Sequence, residues 1–157
     1  MKVKLLLLLA LVFIAVPSIQ AQGVRNGPDQ GAMRDPDLER DSQHNLEVAR
    51  NYFKLKKAYV AALKRCEEII AGNPNFAKIE EVLLMAGQSS LWLSQSKGKQ
   101  APHLYVTFDG GEKRTLTPEQ FREMGKQYLN KLIADYPNGN FAKQAQEELQ
   151  ALDKPRQ

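Results

Sequence analysis

The chain has 157 residues, 43% apolar and 25% charged, with a formal net charge of +4. That length allows one modest domain, and the composition is that of an ordinary globular protein, which excludes collagen-like, disulfide-stapled and low-complexity classes. Lys2 and Lys4 supply half of the net charge, and the remaining bases are interspersed with acids, so no nucleic-acid footprint and no polybasic membrane block is expected.

Lys2 and Lys4 precede the uncharged run Leu5 to Val16, followed by Pro17, Ser18 and the small Ala21. This is the layout of a secretory signal peptide. The run is shorter than the ~20 residues that span a bilayer, so residues 1–21 are expected to be a cleaved leader and the mature chain to hold no transmembrane segment. Ile19 leaves the exact cleavage bond open. No cysteine stands directly after the run, so no lipid anchor is expected.

Residues 22–41 are rich in Gly, Pro, Asp and Arg with little apolar periodicity, the composition of a flexible linker. A helical domain is expected over 42–153. Its first helix should start near Asp41 or Ser42 as N-cap and run to about Lys56. Leu46, Ala49 and Phe53 share one face, widened by Val48, Tyr52 and Leu55.

The second helix carries Tyr59, Ala62, Leu63, Cys66, Ile69 and Ile70 at steps of three and four. Gly72 is a C-cap candidate, and Pro74, lacking an N–H, ends the helix. Cys66, the only cysteine, reads as a small buried hydrophobe, with an intermolecular disulfide as the alternative. A third helix over Phe76 to Leu93 has apolar residues on broad surfaces, including Trp92, and predicts central burial. Trp92 reads as core in preference to a ligand platform.

Residues 94–116 break the helical pattern. Alternation around Asp109-Gly110-Gly111 predicts an inserted β-hairpin, Leu104 to Phe108 and Lys113 to Leu116, with Tyr105 or Phe108 packed on the helices. Thr117-Pro118-Glu119-Gln120 then has the N-cap, first-position proline and third-position amide of a capping box. Phe121 to Tyr136 hold helical spacing until Pro137, and Phe141, Ala145, Leu149 and Leu152 make a last helix. The segment Lys57 to Lys78 is echoed by Gly125 to Lys143: in each, an apolar helix runs into a Pro-Asn turn and then Phe-Ala-Lys. Such an echo signals stacked helical units.

No phosphate loop, nucleophile elbow or zinc-protease motif occurs. His44 and His103 lack ligands at metal spacing. Glu67-Glu68, Glu80-Glu81 and Glu147-Glu148 are neighbours on helices, where adjacent side chains point ~100° apart and do not converge. No catalytic residue, metal or cofactor is expected.

The residues Leu46, Ala49, Phe53, Ala62, Cys66, Ile69 and Pro74, with the phrase YPNGNFAKQAQEELQAL, resemble tetratricopeptide repeats of bacterial envelope proteins, above all the outer-membrane assembly (BamD-type) family. The resemblance implies an all-α fold of about five helices, antiparallel hairpins stacked as a short solenoid with the β-hairpin inserted. It implies a periplasmic, non-enzymatic scaffold that holds envelope proteins or peptides. The first helix of each pair would line a concave face offering His44, Glu47, Asn51, Lys54 and Gln88, with Ser89 beside them. The hairpin residues Tyr105 and Phe108 are the second candidate contact. Alternatives are an envelope ligand binder or enzyme using the hairpin as a lid, or a Tol-Pal-type cell-division coordinator. A short array exposing apolar ends also predicts self-association or an obligate partner.

Overall fold

The computed structural model describes residues 34–153. The expected leader and residues 22–33 of the expected linker lie outside the described residues. The described chain is mostly helical: α1 (Pro36–Arg50), α2 (Tyr59–Gly72), α3 (Ile79–Ser94), α4 (Pro118–Asp135) and α5 (Ala142–Asp153), with strands β1 (Val106–Asp109) and β2 (Glu112–Thr115) between α3 and α4. Each helix packs on its neighbour in the chain, and α3 with α4 forms the most extensive contact.

The first helix starts at Pro36, not near Asp41, so the expected linker is helical over its last six positions. Asp35 is the N-cap, its carboxylate accepting from Asp37 N–H at 2.8 Å and Leu38 N–H at 3.4 Å, and Pro36 fills the first helical position. The extra turns are held from outside. Asn73 Nδ2 donates to Glu39 Oε1 and to Ser42 Oγ, each at 3.2 Å, and Ala77 N–H donates to Glu39 Oε2 at 3.3 Å. The Asn-Pro-Asn turn after α2 is therefore clamped by the start of α1.

At its other end α1 widens into a π-helical stretch, Asn51–Lys56, closed by Lys57 in the left-handed region (φ 48°). The N–H groups of Lys57 and Ala58 both converge on the carbonyl of Tyr52. Phe53 is turned onto the core. Leu55, expected to widen the apolar face, is instead 76% exposed, because the wider winding carries it off the stripe. In α2, Gly72 is the last helical residue and Asn73 caps the end with φ −143°, so the glycine needs no left-handed conformation.

In α3 most residues are buried and none is fully exposed, as its broad apolar surface requires. The helix starts at Ile79, because Phe76 first makes a turn, accepting the N–H of Ile79 on its carbonyl at 3.0 Å. The approach of α4 is set by two glycines. A Cβ on Gly125 would lie 2.8 Å from Leu91 Cδ2 and 3.0 Å from the carbonyl oxygen of Gly87. One on Gly87 would lie 2.7 Å from Leu129 Cδ2 and 3.3 Å from the carbonyl oxygen of Gly125.

The expected capping box starts α4: Thr117 Oγ1 accepts from Gln120 N–H at 3.2 Å, and Gln120 Oε1 accepts from Thr117 N–H at 2.8 Å. The hairpin pairs Val106 with Thr115 and Phe108 with Lys113. Gly110 and Gly111 both have positive φ, as a tight primed turn demands. Arg122 Nη2 donates to the carbonyl of Leu152 at 2.7 Å and ties α5 to α4.

Gly125→Ala gains about 1 kcal/mol of helix propensity but forces a methyl against backbone, so a net loss of about 1–3 kcal/mol is expected. Gly87→Ala should cost less, since its nearest backbone atom is farther away. Gly72→Ala, with open space at its Cβ, should instead gain about 0.5–1 kcal/mol. Urea unfolding of the three variants checks the order.

Candidate functional site

The packing of α3 against α2 and α4 leaves one long side of it partly uncovered, and there the chain forms a groove of about 340 Å³. Its walls come from the odd-numbered helices alone. The π-helical end of α1 contributes Phe53 and Lys54, α3 contributes Glu81, Leu84, Met85, Gln88 and Trp92, and the entry to α5 contributes Phe141 and Gln144.

The floor is built from aromatic side chains. Phe53 stacks on Trp92 at 4.7 Å between ring centroids, Tyr59 tilts onto Trp92 at 4.6 Å, and Phe53 meets Tyr59 edge-on at 5.6 Å. Offset and edge contacts of this kind add rigidity to the area that they bury. Trp92 is only half-buried, so it is both core and groove wall. The free Cys66 belongs to the core alone: it is fully buried, and desolvation pushes its thiol pKa well above the usual range.

The one carboxylate in the groove wall is neutralised. Arg50 Nε donates to Glu81 Oε1 at 2.6 Å and Nη2 to Oε2 at 2.5 Å, a two-pronged pair joining α1 to α3. These hydrogen bonds, with the Glu81 charge, raise the Arg50 pKa against the opposing effect of burial. At the rim, Gln88 Nε2 donates to Glu148 Oε1, and Gln144 Nε2 approaches the same oxygen at 3.5 Å. The lining is thus apolar and aromatic with amides and one free ammonium, Lys54, at its edge. It is suited to burying side chains and lacks an assembled acid–base pair. Among the described residues no three metal-ligating side chains converge, and no helix is long and apolar enough to cross a membrane.

Comparison with protein families, curated proteins and solved structures yields no match.

Of the five residues expected on a concave face, Lys54 and Gln88 line the groove. His44, Glu47 and Asn51 are exposed along α1 outside it, and Glu47 accepts a 2.7 Å bond from Gln43 of its own helix. Ser89 is fully buried, one position round the helix from Gln88. The sequence reading missed Phe141 and Gln144. Their signal was the Pro-Asn echo itself, which places Phe141 where Phe76 stands after the first turn.

The hairpin residues separate as well. Phe108 is 75% exposed, whereas Tyr105 is buried and so withdrawn from any partner surface. Tyr105 meets Phe121 edge-on at 5.4 Å, and its hydroxyl donates to Glu67 Oε1 at 2.6 Å. Tyr128 of α4 donates to the same oxygen at 3.1 Å. Glu67 of α2 thereby fixes the base of the hairpin to two helices. Its neighbour Glu68 pairs with Arg65 instead, at 2.6 Å, as the angular offset between adjacent helical positions requires.

Burial raises the Glu67 pKa, opposed by the two tyrosine hydroxyls and by the charge of Lys64. The folded chain therefore holds that proton more tightly than the unfolded chain. The resulting stability is fully present below the unfolded carboxylate value of about 4.3 and is lost as pH rises through the raised folded value. Glu67→Gln keeps an oxygen acceptor for both tyrosines without the titration. Denaturation midpoints from about pH 4 to about pH 7 should fall with rising pH less steeply in the variant than in the parent.

Proposed function

We propose that this protein is a non-enzymatic protein-protein interaction scaffold of the bacterial cell envelope, built from tetratricopeptide-like helical pairs. It holds apolar side chains of a partner polypeptide in the groove between α1, α3 and α5. The observation that carries this reading is a lining drawn only from odd-numbered helices, the pattern expected when the first helix of each pair faces a concave surface. Supporting it, the aromatic floor of Phe53 and Trp92 is flanked by Gln88 and Gln144, amides able to bond a peptide backbone. Lys54, exposed at the edge, favours a carboxylate beside the apolar anchors of the partner. A volume of about 340 Å³ lies at the small end of ligand pockets and accommodates two or three side chains. The leader-like run Leu5 to Val16 supports export to the periplasm, and assembly of outer-membrane proteins is the process that the sequence resemblance suggests.

A photo-crosslinking residue placed at Lys54 or Gln144 in living cells is expected to capture a discrete envelope partner, whereas one at Glu68 or Asn130, exposed on α2 and α4, captures none. Gln144→Trp, which lays a ring over the groove, should lower the yield from position 54 about tenfold, a loss of roughly 1.4 kcal/mol. Equal labelling from Asn130, or a yield indifferent to Gln144→Trp, would refute the groove as the docking site.

A further inference from the structure

One end of the molecule brings together two lysine-bearing stretches that are far apart in the chain, and there the bases are not interspersed with acids, as the overall composition leads one to expect. No Asp or Glu occurs from Val48 to Cys66 or from Val82 to Phe108. The fold joins the lysine-bearing parts of these two acid-free segments. Lys99 N–H donates to the carbonyl of Lys57 at 2.8 Å, Gln100 Oε1 accepts the N–H of Ala61 in the first turn of α2 at 2.9 Å, and Gly98 backs onto the Tyr59 ring. A Cβ on Gly98 would lie 2.5 Å from that ring and 2.7 Å from the Lys57 carbonyl. Lys57 therefore lies against the one residue that Lys97 and Lys99 flank, with Lys56 beside it. All four lysines are exposed, and among the described residues none has a carboxylate partner. Lys56 instead sits 5.1 Å from the centre of the Tyr52 ring. Next to them Leu55, 76% exposed, is the most exposed large apolar side chain among the described residues.

We propose that this end of the fold, Leu55 with Lys56, Lys57, Lys97 and Lys99, is a peripheral docking surface for an anionic phospholipid bilayer. The charges complement acidic headgroups, and the leucine among them supplies the apolar insertion that a purely electrostatic partner would not use. The composition argues against nucleic acid. Every base in the cluster is a lysine, a point charge suited to a fluid surface, and none is an arginine with the planar fork that recognises fixed phosphates. The patch shares no residue with the groove lining, so substitutions of its exposed side chains test it separately from the groove.

The test is flotation of the full chain with vesicles of mixed phosphatidylglycerol and phosphatidylcholine, and with pure phosphatidylcholine. The apolar run Leu5 to Val16 would contribute to both, so the reading is the difference between them. Each lysine at an anionic surface is worth roughly fivefold in partitioning. Lys56→Gln, Lys97→Gln and Lys99→Gln combined should therefore lower partitioning to the mixed vesicles at least tenfold and leave the neutral vesicles unaffected. Leu55→Ser should weaken mixed-vesicle binding several-fold while keeping its salt dependence. All four side chains are exposed, and an unchanged helical circular dichroism spectrum shows that the fold is intact. For the parent chain, anionic-vesicle binding should also weaken as salt is added. The proposal is overturned by a triple variant that partitions like the parent, by salt-independent binding of the parent, or by tighter binding of duplex DNA or polyglutamate than of the mixed vesicles.

Discussion

The closeness of α3 and α4, permitted by Gly87 and Gly125, is the constraint from which the other surfaces follow. Each glycine sits under a leucine of the opposite helix and within a few ångströms of the opposite glycine's carbonyl, so each leucine packs directly on bare backbone. Helix-interior glycines cost about 1 kcal/mol each relative to alanine. The approach offsets this by letting Leu91 and Leu129 bury almost completely, at about 1.5–3 kcal/mol for each. With α4 so near on one side and α2 on another, α3 is covered there by direct helix contact. The remaining side is bridged only by the end of α1 and the entry to α5, and the groove is what that looser cover leaves.

Each of the turns that lead into α3 and α5 lies against an acidic residue from the first turns of the preceding odd-numbered helix. Glu39 near the start of α1 holds the turn before α3 through Asn73 and the Ala77 N–H. Glu80 at the start of α3 lies against Gly139 in the turn before α5, where even a methyl group would collide with its carboxylate. The two turns thus share a nearby carboxylate but not its role: Glu39 is hydrogen-bonded to the first turn, whereas Glu80 Oε2 is buried without a hydrogen-bond partner among the described residues and meets the second turn by close packing alone.

Local rules made much of this architecture legible. The capping box at Thr117, the stop at Pro74 and the breadth of the apolar surface on α3 depend on residues within one or two turns of each other, and each lies close to where it was expected. The start of α1 carried the same kind of signal, Asp35 followed by Pro36, but the surrounding Gly, Pro and Asp composition pointed to a linker, and the clamp by Asn73 comes from 34 residues away. Leu55 was misplaced because a regular helical period was carried through a stretch that winds wider. The candidate site was less legible. Lys54 and Gln88 follow from position on a helix, but the groove also needs Phe141 and Gln144, whose nearness to Phe53 depends on three intervening helices. The tyrosine pair on Glu67 and the union of two lysine-bearing loops are likewise long-range and leave no periodic trace.

The π-helical end of α1 joins the two surfaces to which function is assigned. Within one wide turn it sends Phe53 inward to stack on Trp92 and Leu55 outward to solvent, and it finishes on Lys57 in a left-handed conformation that a non-glycine residue adopts at a cost of about 1–2 kcal/mol. Such strain persists only where the surroundings fix it. Here the fixing contacts are visible: the Lys57 N–H on the Tyr52 carbonyl, the Lys57 carbonyl accepting from Lys99, and Gly98 filling the space over Tyr59. Because Tyr59 also packs against Phe53 and Trp92, the loop that carries Lys97 and Lys99 rests on the same ring that supports the groove floor. A force that moved the basic loop would therefore be felt at Trp92, through one aromatic contact.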